Sequence, residues 1–294
     1  MGKPMVANLV REGFSVQSYD RNGSGSCTSA REAAQGVDAL ITMLPDGDAV
    51  REAVLEALPA LPEGALVIDM SSSDPSATLA LATALHAKRI RMLDAPVSGA
   101  IVKAKDATLA IMVGGAKDDV EKAGSVLRAM GKDIFHVGAL GAGHAVKALN
   151  NYLGAAGTLA GFEALLVSRA FGLEPAPMLE AINASTGRNW TTERKIPLQV
   201  LTGAFASGFK LALMAKDVGI AAGLARDLGV QTPYLDKTLQ LWRDAAKKLS
   251  SDADHTEIFH YLAKLPDAAR RKSAPSRAAP ARRSSSRRKR RHST

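Results

Sequence analysis

The sequence predicts an α/β chain, a doubly wound parallel sheet followed by an all-helical half. Up to residue 137, short β-branched apolar runs alternate with stretches of helical period, the pattern of parallel strands covered by helices. From Gly141 onward strand signals vanish, and Ala, Leu and Gly recur in helical spacing. With 294 residues and 46% apolar content the chain can bury two moderate cores, which excludes disorder throughout.

Taken in order, strands are expected at Ser15–Tyr19, Ala39–Met43, Leu66–Asp69, Arg91–Asp94, Ala110–Val113 and Ile134–Val137. Helices are expected between them at Pro4–Glu12, Ala49–Leu58, Ser76–Ala87 and Ala116–Met130. The helical half begins with a long helix, Ala145–Phe171, which Gly172 stops because glycine accepts the left-handed conformation at a helix end. A helix apolar on most faces is expected to be buried, in a core or in a dimer interface. Further helices are expected at Ala176–Ala184, Thr192–Leu201, Leu213–Leu228 and Pro233–Leu249. The expected division is 1–138 for a dinucleotide-binding domain, 139–265 for a helical substrate and dimerisation domain, and 266–294 for a tail.

The net charge of +9 belongs to that tail. Residues 266–294 hold eleven Lys and Arg against one acidic residue, or +10, so residues 1–265 carry −1. Rich in Pro, Ala, Ser and Arg and without apolar periodicity, the tail cannot offset its ordering entropy by burial and is expected to be disordered. Nucleic acid is expected as a partner only through this tail, around Arg287–Arg291, and no aromatic side chains are interleaved there to stack on bases. The single cysteine, Cys27, excludes an internal disulfide, and no Cys/His spacing suits a metal. No apolar run approaches the ~20 residues of a membrane span and no signal pattern opens the chain, so a cytoplasmic protein is expected.

The start of the chain departs from the usual order. A dinucleotide-binding sheet of Rossmann type opens with a strand, a GxGxxG turn, and a helix whose N-terminus faces the pyrophosphate. Here Gly2 opens a helix with no strand before it. Asp20, ending the next expected strand, stands where an acidic residue accepts the adenosine ribose hydroxyls, and Arg21 beside it leaves room for a 2′-phosphate. NAD is the expected cofactor, with NADP as the alternative.

Three later segments carry chemistry. In Asp94-Ala95-Pro96-Val97-Ser98-Gly99, a strand-end loop offers a hydroxyl, a glycine and backbone amides to a carboxylate. In Gly141-Ala142-Gly143-His144-Ala145-Val146-Lys147-Ala148-Leu149-Asn150-Asn151, Lys147 and Asn151 stand at i and i+4 and project from one helix face. Burial there lowers the lysine pKa toward the working pH, which suits general acid/base chemistry. The third is Lys216-Asp217. Together with Met1–Leu9 (MGKPMVANL), these segments resemble the β-hydroxyacid dehydrogenase family, the group containing 3-hydroxyisobutyrate dehydrogenase, over residues 1 to about 265.

The resemblance implies that Gly2, Leu44, Pro45 and Ser72 contact the cofactor and that Lys216 lies near its nicotinamide end. It implies Ser98, Gly99 and Asn151 as substrate ligands and Lys147 as the group that moves the proton. Ala100 and Ala107 stand where the family has glycines. The family's first strand and two glycines of its turn are missing, which implies that Met1 is the internal methionine of that turn and that the native protein exceeds 30.8 kDa by roughly 1 kDa.

The expected reaction is hydride transfer between NAD(P) and the hydroxyl carbon of a small hydroxy acid, without a metal, in a homodimer or homotetramer. The competing reading is a catalytically weak cofactor-binding protein that holds nucleic acid through its tail. Imine reduction is a third reading, against which Lys147 argues. A sugar phosphate is disfavoured because no Arg/Lys cluster surrounds the Ser98 loop.

Overall fold

The computed structural model describes residues 1–265. The expected tail at 266–294 lies outside the described residues. In chain order the first half comprises α1 (Gly2–Arg11), α2 (Ala30–Ala33), β1 (Ala39–Thr42), α3 (Gly47–Ala57), β2 (Leu66–Asp69), α4 (Pro75–His86), β3 (Arg91–Asp94), β4 (Val97–Ser98), α5 (Ala100–Lys105), β5 (Leu109–Gly114), α6 (Lys117–Lys122), α7 (Gly124–Arg128) and β6 (Gly131–Gly138). The second half comprises α8 (Ala142–Phe171), α9 (Pro175–Asn183), a wide π-type segment Thr191–Val200, α10 (Leu211–Asp227), α11 (Pro233–Lys248) and α12 (Ile258–Ala263).

The sheet runs β1-β2-β3-β5-β4, with β6 beside β5. Strands β1, β2 and β3 are parallel and in register, so Thr42, Asp69 and Asp94 line up at their C-terminal ends. The doubly wound arrangement is present, but the sheet is mixed, because β5 runs antiparallel to β3 and β4. Chain length explains the reversal. Only ten residues separate Ser98 from Leu109, fewer than the dozen or more that a parallel crossover needs.

The strand expected at Ser15–Tyr19 does not form. Residues 14–20 are extended, with Phe14 and Val16 packed on the sheet core, but no described strand lies alongside to complete a ladder. Ser18 instead exchanges bonds with the following turn, accepting from the Cys27 amide at 2.9 Å and donating its own amide to Ser26 Oγ at 3.0 Å. The expected helix Ala116–Met130 is broken at Ala123, between α6 and α7, just before Gly124, a poor residue for a helix interior. The α-helix expected at Thr192–Leu201 forms instead as the π-type segment Thr191–Val200, wider because Pro197 inside it has no amide for an i→i−4 bond; the Leu201 amide reaches back five residues to Ile196 at 2.9 Å.

Two apolar layers on the sheet faces are built from Ile68, Leu93 and Ile111 on one side and Val67, Leu85 and Met92 on the other. The helical half packs Phe162, Leu165, Val218 and Trp242 around the central α8.

Candidate active site

The N-terminus of α8 is anchored on the C-terminal edge of the sheet. Gly141, at φ 92°, turns the chain into the helix, and the fully buried Asp94 at the end of β3 caps it. Asp94 Oδ1 accepts from the Gly141 amide and Oδ2 from the His144 amide, both at 2.7 Å. These bonds satisfy two of the four helix-end donors with a carboxylate at the positive end of the helix dipole. Gly143 is required by contact, since a side-chain carbon there would collide with the Met112 carbonyl. The second glycine of the motif is therefore a packing glycine and the first a turn glycine.

The His144 ring is wedged beneath the same edge. Its Nδ1 meets Thr78 Oγ1 of α4 at 2.9 Å, and its Nε2 stands 3.5 Å from Asp69 Oδ2. Asp69 Oδ1 accepts from Thr42 Oγ1 at 2.8 Å and from the Ser71 amide at 2.9 Å, while Ser73 Oγ donates to Oδ2 at 2.8 Å. One buried polar network thus ties β1, β2, β3 and α4 to the helix that carries Lys147.

Lys147 lies one turn into α8, half-buried, and makes no hydrogen bond or ion pair among the described residues. Burial pushes its pKa below the ordinary lysine value; the Asp217 carboxylate opposes the shift and the Lys216 ammonium adds to it. One turn further along, Asn151 Nδ2 donates to Asp217 Oδ2 at 2.6 Å. Asp217 in turn pairs through Oδ1 with Lys216 Nζ at 2.9 Å, and Lys216 Nζ donates to the Ser72 carbonyl at 2.7 Å. The preceding Ser71 holds the Leu44 amide through its Oγ at 2.9 Å. Leu44, Ser72, Lys216 and Asn151, far apart in sequence, are joined here by a continuous line of contacts that ends one helical turn from Lys147.

The Ser98 loop begins four residues after Asp94 and is therefore held by the same strand that caps α8. Ser98 pairs with Ala110 across β4 and β5. Gly99 sits at φ 136°, where a side chain would run into Lys103. Ala100 and Ala107 have φ values of 56° and 53°, in the left-handed region that glycine occupies without strain.

The residues expected at the adenosine end are not drawn into this line. Asp20 is exposed and its Oδ1 accepts from the Asn22 amide of its own turn at 2.8 Å, while Arg21 pairs with Glu52 at 2.6 Å on the surface. Gly2 begins α1, whose first-turn amides no side chain caps, and nothing lies within 4 Å of the point a Cβ would occupy there. The residues present fit a dinucleotide: uncapped amides at a helix N-terminus suit a pyrophosphate, and Leu44, Pro45, Ser72 and Lys216 form a polar-edged rim at the strand ends for the nicotinamide end.

Sequence reasoning singled out the Lys216-Asp217 pair but gave Asp217 no role of its own; here it is buried and links Asn151 to Lys216. It also missed Asp69, Asp94 and His144 as one network. A signal for the two carboxylates is visible in retrospect, because each ends an apolar strand run. Among the described residues, no group of three or more His, Cys, Asp or Glu is placed to hold a metal, and no helix is long and apolar enough to cross a membrane.

Residues 1–138 match a family described as the NAD binding domain of 6-phosphogluconate dehydrogenase, and residues 141–262 one described as NAD-binding of NADP-dependent 3-hydroxyisobutyrate dehydrogenase. The chain is 37% identical over 256 residues to 2-(hydroxymethyl)glutarate dehydrogenase of Eubacterium barkeri, a match covering 82% of this chain and 85% of that protein. It is 35% identical over 277 residues to the NAD-dependent L-serine dehydrogenase of Pseudomonas aeruginosa, covering 88% and 93%. The Mycobacterium tuberculosis 3-hydroxyisobutyrate dehydrogenase solved with L-serine superposes with a TM-score of 0.84 at 32% identity, covering 89% of this chain and 95% of that one.

Proposed function

The chain belongs to the β-hydroxyacid dehydrogenase family and is an NAD(P)-dependent oxidoreductase acting on the CH–OH group of a hydroxy acid, and from this we propose how its own residues divide the work. Lys147 is the general acid/base. Bound NAD(P) supplies the hydride acceptor or donor. In the oxidising direction Lys147 takes the hydroxyl proton in its neutral form, which its burial favours; in reduction the ammonium returns a proton to the carbonyl oxygen. Asn151, held by Asp217, orients the reacting oxygen, and Ser98 with Gly99 pins the substrate carboxylate. Gly2, Asp20, Leu44, Pro45, Ser72 and Lys216 hold the cofactor; Arg21, the residue that would meet the 2′-phosphate of NADP, pairs with Glu52 instead, so NAD is preferred.

The observation that carries this reading is the contact line from Ser72 through Lys216 and Asp217 to Asn151, which ends beside a desolvated lysine with no hydrogen bond or ion pair among the described residues. The substrate is a small 3-hydroxy acid of the 3-hydroxyisobutyrate type. Initial rates of NADH and NADPH formation across four-carbon hydroxy acids test it, with Lys147→Ala as the control; wild-type turnover in that variant would overturn the assignment. The reading of a weakly catalytic, nucleic-acid-tethered protein is not favoured by these relatives.

The division at residues 138/139 follows the change from sheet to helices. A homodimer or homotetramer is also part of the reading. Along α8, Val146, Leu149, Leu153, Val167 and Phe171 form an apolar stripe, and Leu153, Val167 and Phe171 are 68%, 69% and 82% exposed. Light scattering on the purified chain should give a multiple of 30.8 kDa, and a monomer would remove this part of the reading. A cytoplasmic location completes it, to be checked by fractionation.

A further inference from the structure

The turn that leaves the Ser98 loop brings a lysine back onto it. Gly99 and Ala100 follow each other at φ 136° and 56°, so the chain reverses out of β4 and α5 starts at once. Side chains on a helix point toward its N-terminus, and Lys103, one turn into α5, therefore lies back over Gly99. The contact is close: a side-chain carbon on Gly99 would stand 2.6 Å from Lys103 Cβ and 2.5 Å from its Cδ. Gly99 thus accepts a backbone angle that other residues rarely adopt and leaves room for the lysine stem.

The backbone beneath Lys103 is fixed. Its carbonyl accepts from the Thr108 amide at 2.9 Å, and the next carbonyl, that of the fully buried Ala104, accepts from Asn8 Nδ2 at 2.7 Å. Asn8 is itself buried, on α1, the helix whose N-terminal amides suit the pyrophosphate. The lysine is therefore seated between the substrate loop and the cofactor helix.

The head of its side chain is not tied down. Nζ lies two bonds beyond Cδ, and among the described residues it has no hydrogen bond or ion pair, whereas Lys117, Lys210 and Lys216 each meet a carboxylate. Ser98 Oγ likewise has no hydrogen bond among the described residues. A hydroxyl and an ammonium, both with donors to spare, thus belong to one turn of chain.

We propose that Lys103 is a substrate-binding residue, whose ammonium pairs with the carboxylate held at Ser98 and Gly99 and makes the free acid, rather than its amide or ester, the substrate. The proposal rests on the reading of the chain as a hydroxy-acid dehydrogenase whose Ser98 loop takes the carboxylate. One ammonium matches the single charge of that group. Because Lys103 is exposed, water and salt weaken the pairing, so it selects and holds the acid while proton transfer stays with Lys147.

Isobutyrate and isobutyramide test this, since they share a carbon skeleton, differ in charge and have no hydroxyl to oxidise. Titrated into the full chain with NAD, the acid should bind about tenfold more tightly than the amide, and Lys103→Gln should reduce the difference to about twofold. Lys103→Arg, which keeps the charge, should retain it within about threefold, and Lys105→Gln, two residues away, should leave it unchanged. In turnover, Lys103→Gln should raise KM for the hydroxy acid about fivefold with kcat within about twofold. The wild-type KM should also climb with salt more steeply than that of the variant. A fall in kcat at constant KM, or a preference for isobutyrate that survives Lys103→Gln or is lost equally in Lys105→Gln, overturns the proposal and leaves hydroxy-acid turnover intact. A Lys103-dependent preference for isobutyrate in a protein that turns over no hydroxy acid leaves the carboxylate site standing and overturns the dehydrogenase reading beneath it.

Discussion

Lys147 and Lys195 are two desolvated lysines of the helical half, both with pKa values lowered chiefly by burial, yet their surroundings differ. Lys147 makes no hydrogen bond among the described residues and lies in the first turns of α8, whose N-terminus is anchored on the sheet edge by Asp94. Lys195, in the π-type segment, has its pKa lowered to about 8 and donates from Nζ to Thr158 Oγ1 at 2.6 Å. Thr158 is on the same helix as Lys147 but eleven residues further on, ~16 Å along the axis. Nearby, burial and the Lys195 charge hold His255 neutral, its pKa lowered to about 4. Desolvation alone does not mark a catalytic lysine. The strand ends decide, because only there do loops and helix termini bring reacting partners to the ammonium.

The two lysines should differ most in turnover. Lys147→Ala is expected to lower kcat by about 10³-fold, and Lys147→Arg to restore none of it, because a guanidinium does not give up its proton near neutral pH. Rates from cofactor absorbance check both. In the wild type, kcat/KM for oxidation should rise with pH through a pKa below the ordinary lysine value, and kcat/KM for reduction should fall through the same region. Asp217→Asn should cost about 10- to 100-fold in kcat, since Asn151 loses its charged partner. It should also displace the oxidation profile to lower pH, because Asp217 is the group that raises the Lys147 pKa. A profile that stays in place would separate Asp217 from Lys147.

Lys195 should answer in stability instead. A lysine whose folded pKa lies below its unfolded value weakens the fold at low pH, and the penalty is relieved as pH rises from about 8 toward 10.5. The shift corresponds to roughly 3 kcal/mol at most. Lys195→Met should therefore raise the unfolding free energy at pH 7, flatten its rise between pH 8 and 10.5, and leave kcat within about threefold. A destabilised variant at pH 7 would show that the Thr158 bond outweighs desolvation. The smallest effect is expected where neither lysine is touched: Ala100→Gly and Ala107→Gly relieve left-handed backbone and should each add about 0.5–1 kcal/mol by thermal or chemical unfolding.

Much of the fold was legible because burial of short apolar runs has local periodicity. Leu66–Asp69 and Arg91–Asp94 were read to their last residue, and α8 ends at Phe171, before Gly172, as the glycine requires. Ser15–Tyr19 misled because a strand's existence depends on a neighbour that the strand's own residues do not specify. The parallel direction assigned to β5 failed for a similar reason: direction is set by the length of connection, and the two-residue strand β4 inside the Ser98 loop was too short to leave a periodic signal. Lys147 and Asn151 could be paired from their spacing, whereas their partner Asp217 is 66 residues from Asn151 and has no spacing to betray it.

By itself, the sequence determined the order of strands and helices, the Lys147–Asn151 helix face and the loop at Ser98, because each depends on residues within a few positions of one another. Only the tertiary structure decided that Asp94 caps the helix of Lys147, that Asp217 joins Asn151 to Lys216, and that Lys216, Arg226 and Arg243 meet around one cavity. Outside the tail, the linear chain offered no Arg/Lys cluster that groups these three. These groups meet because α11 packs along α10 and Lys216 of α10 reaches the Ser72 carbonyl, and the attraction or repulsion between charges depends on their distance in space, not on their separation along the chain.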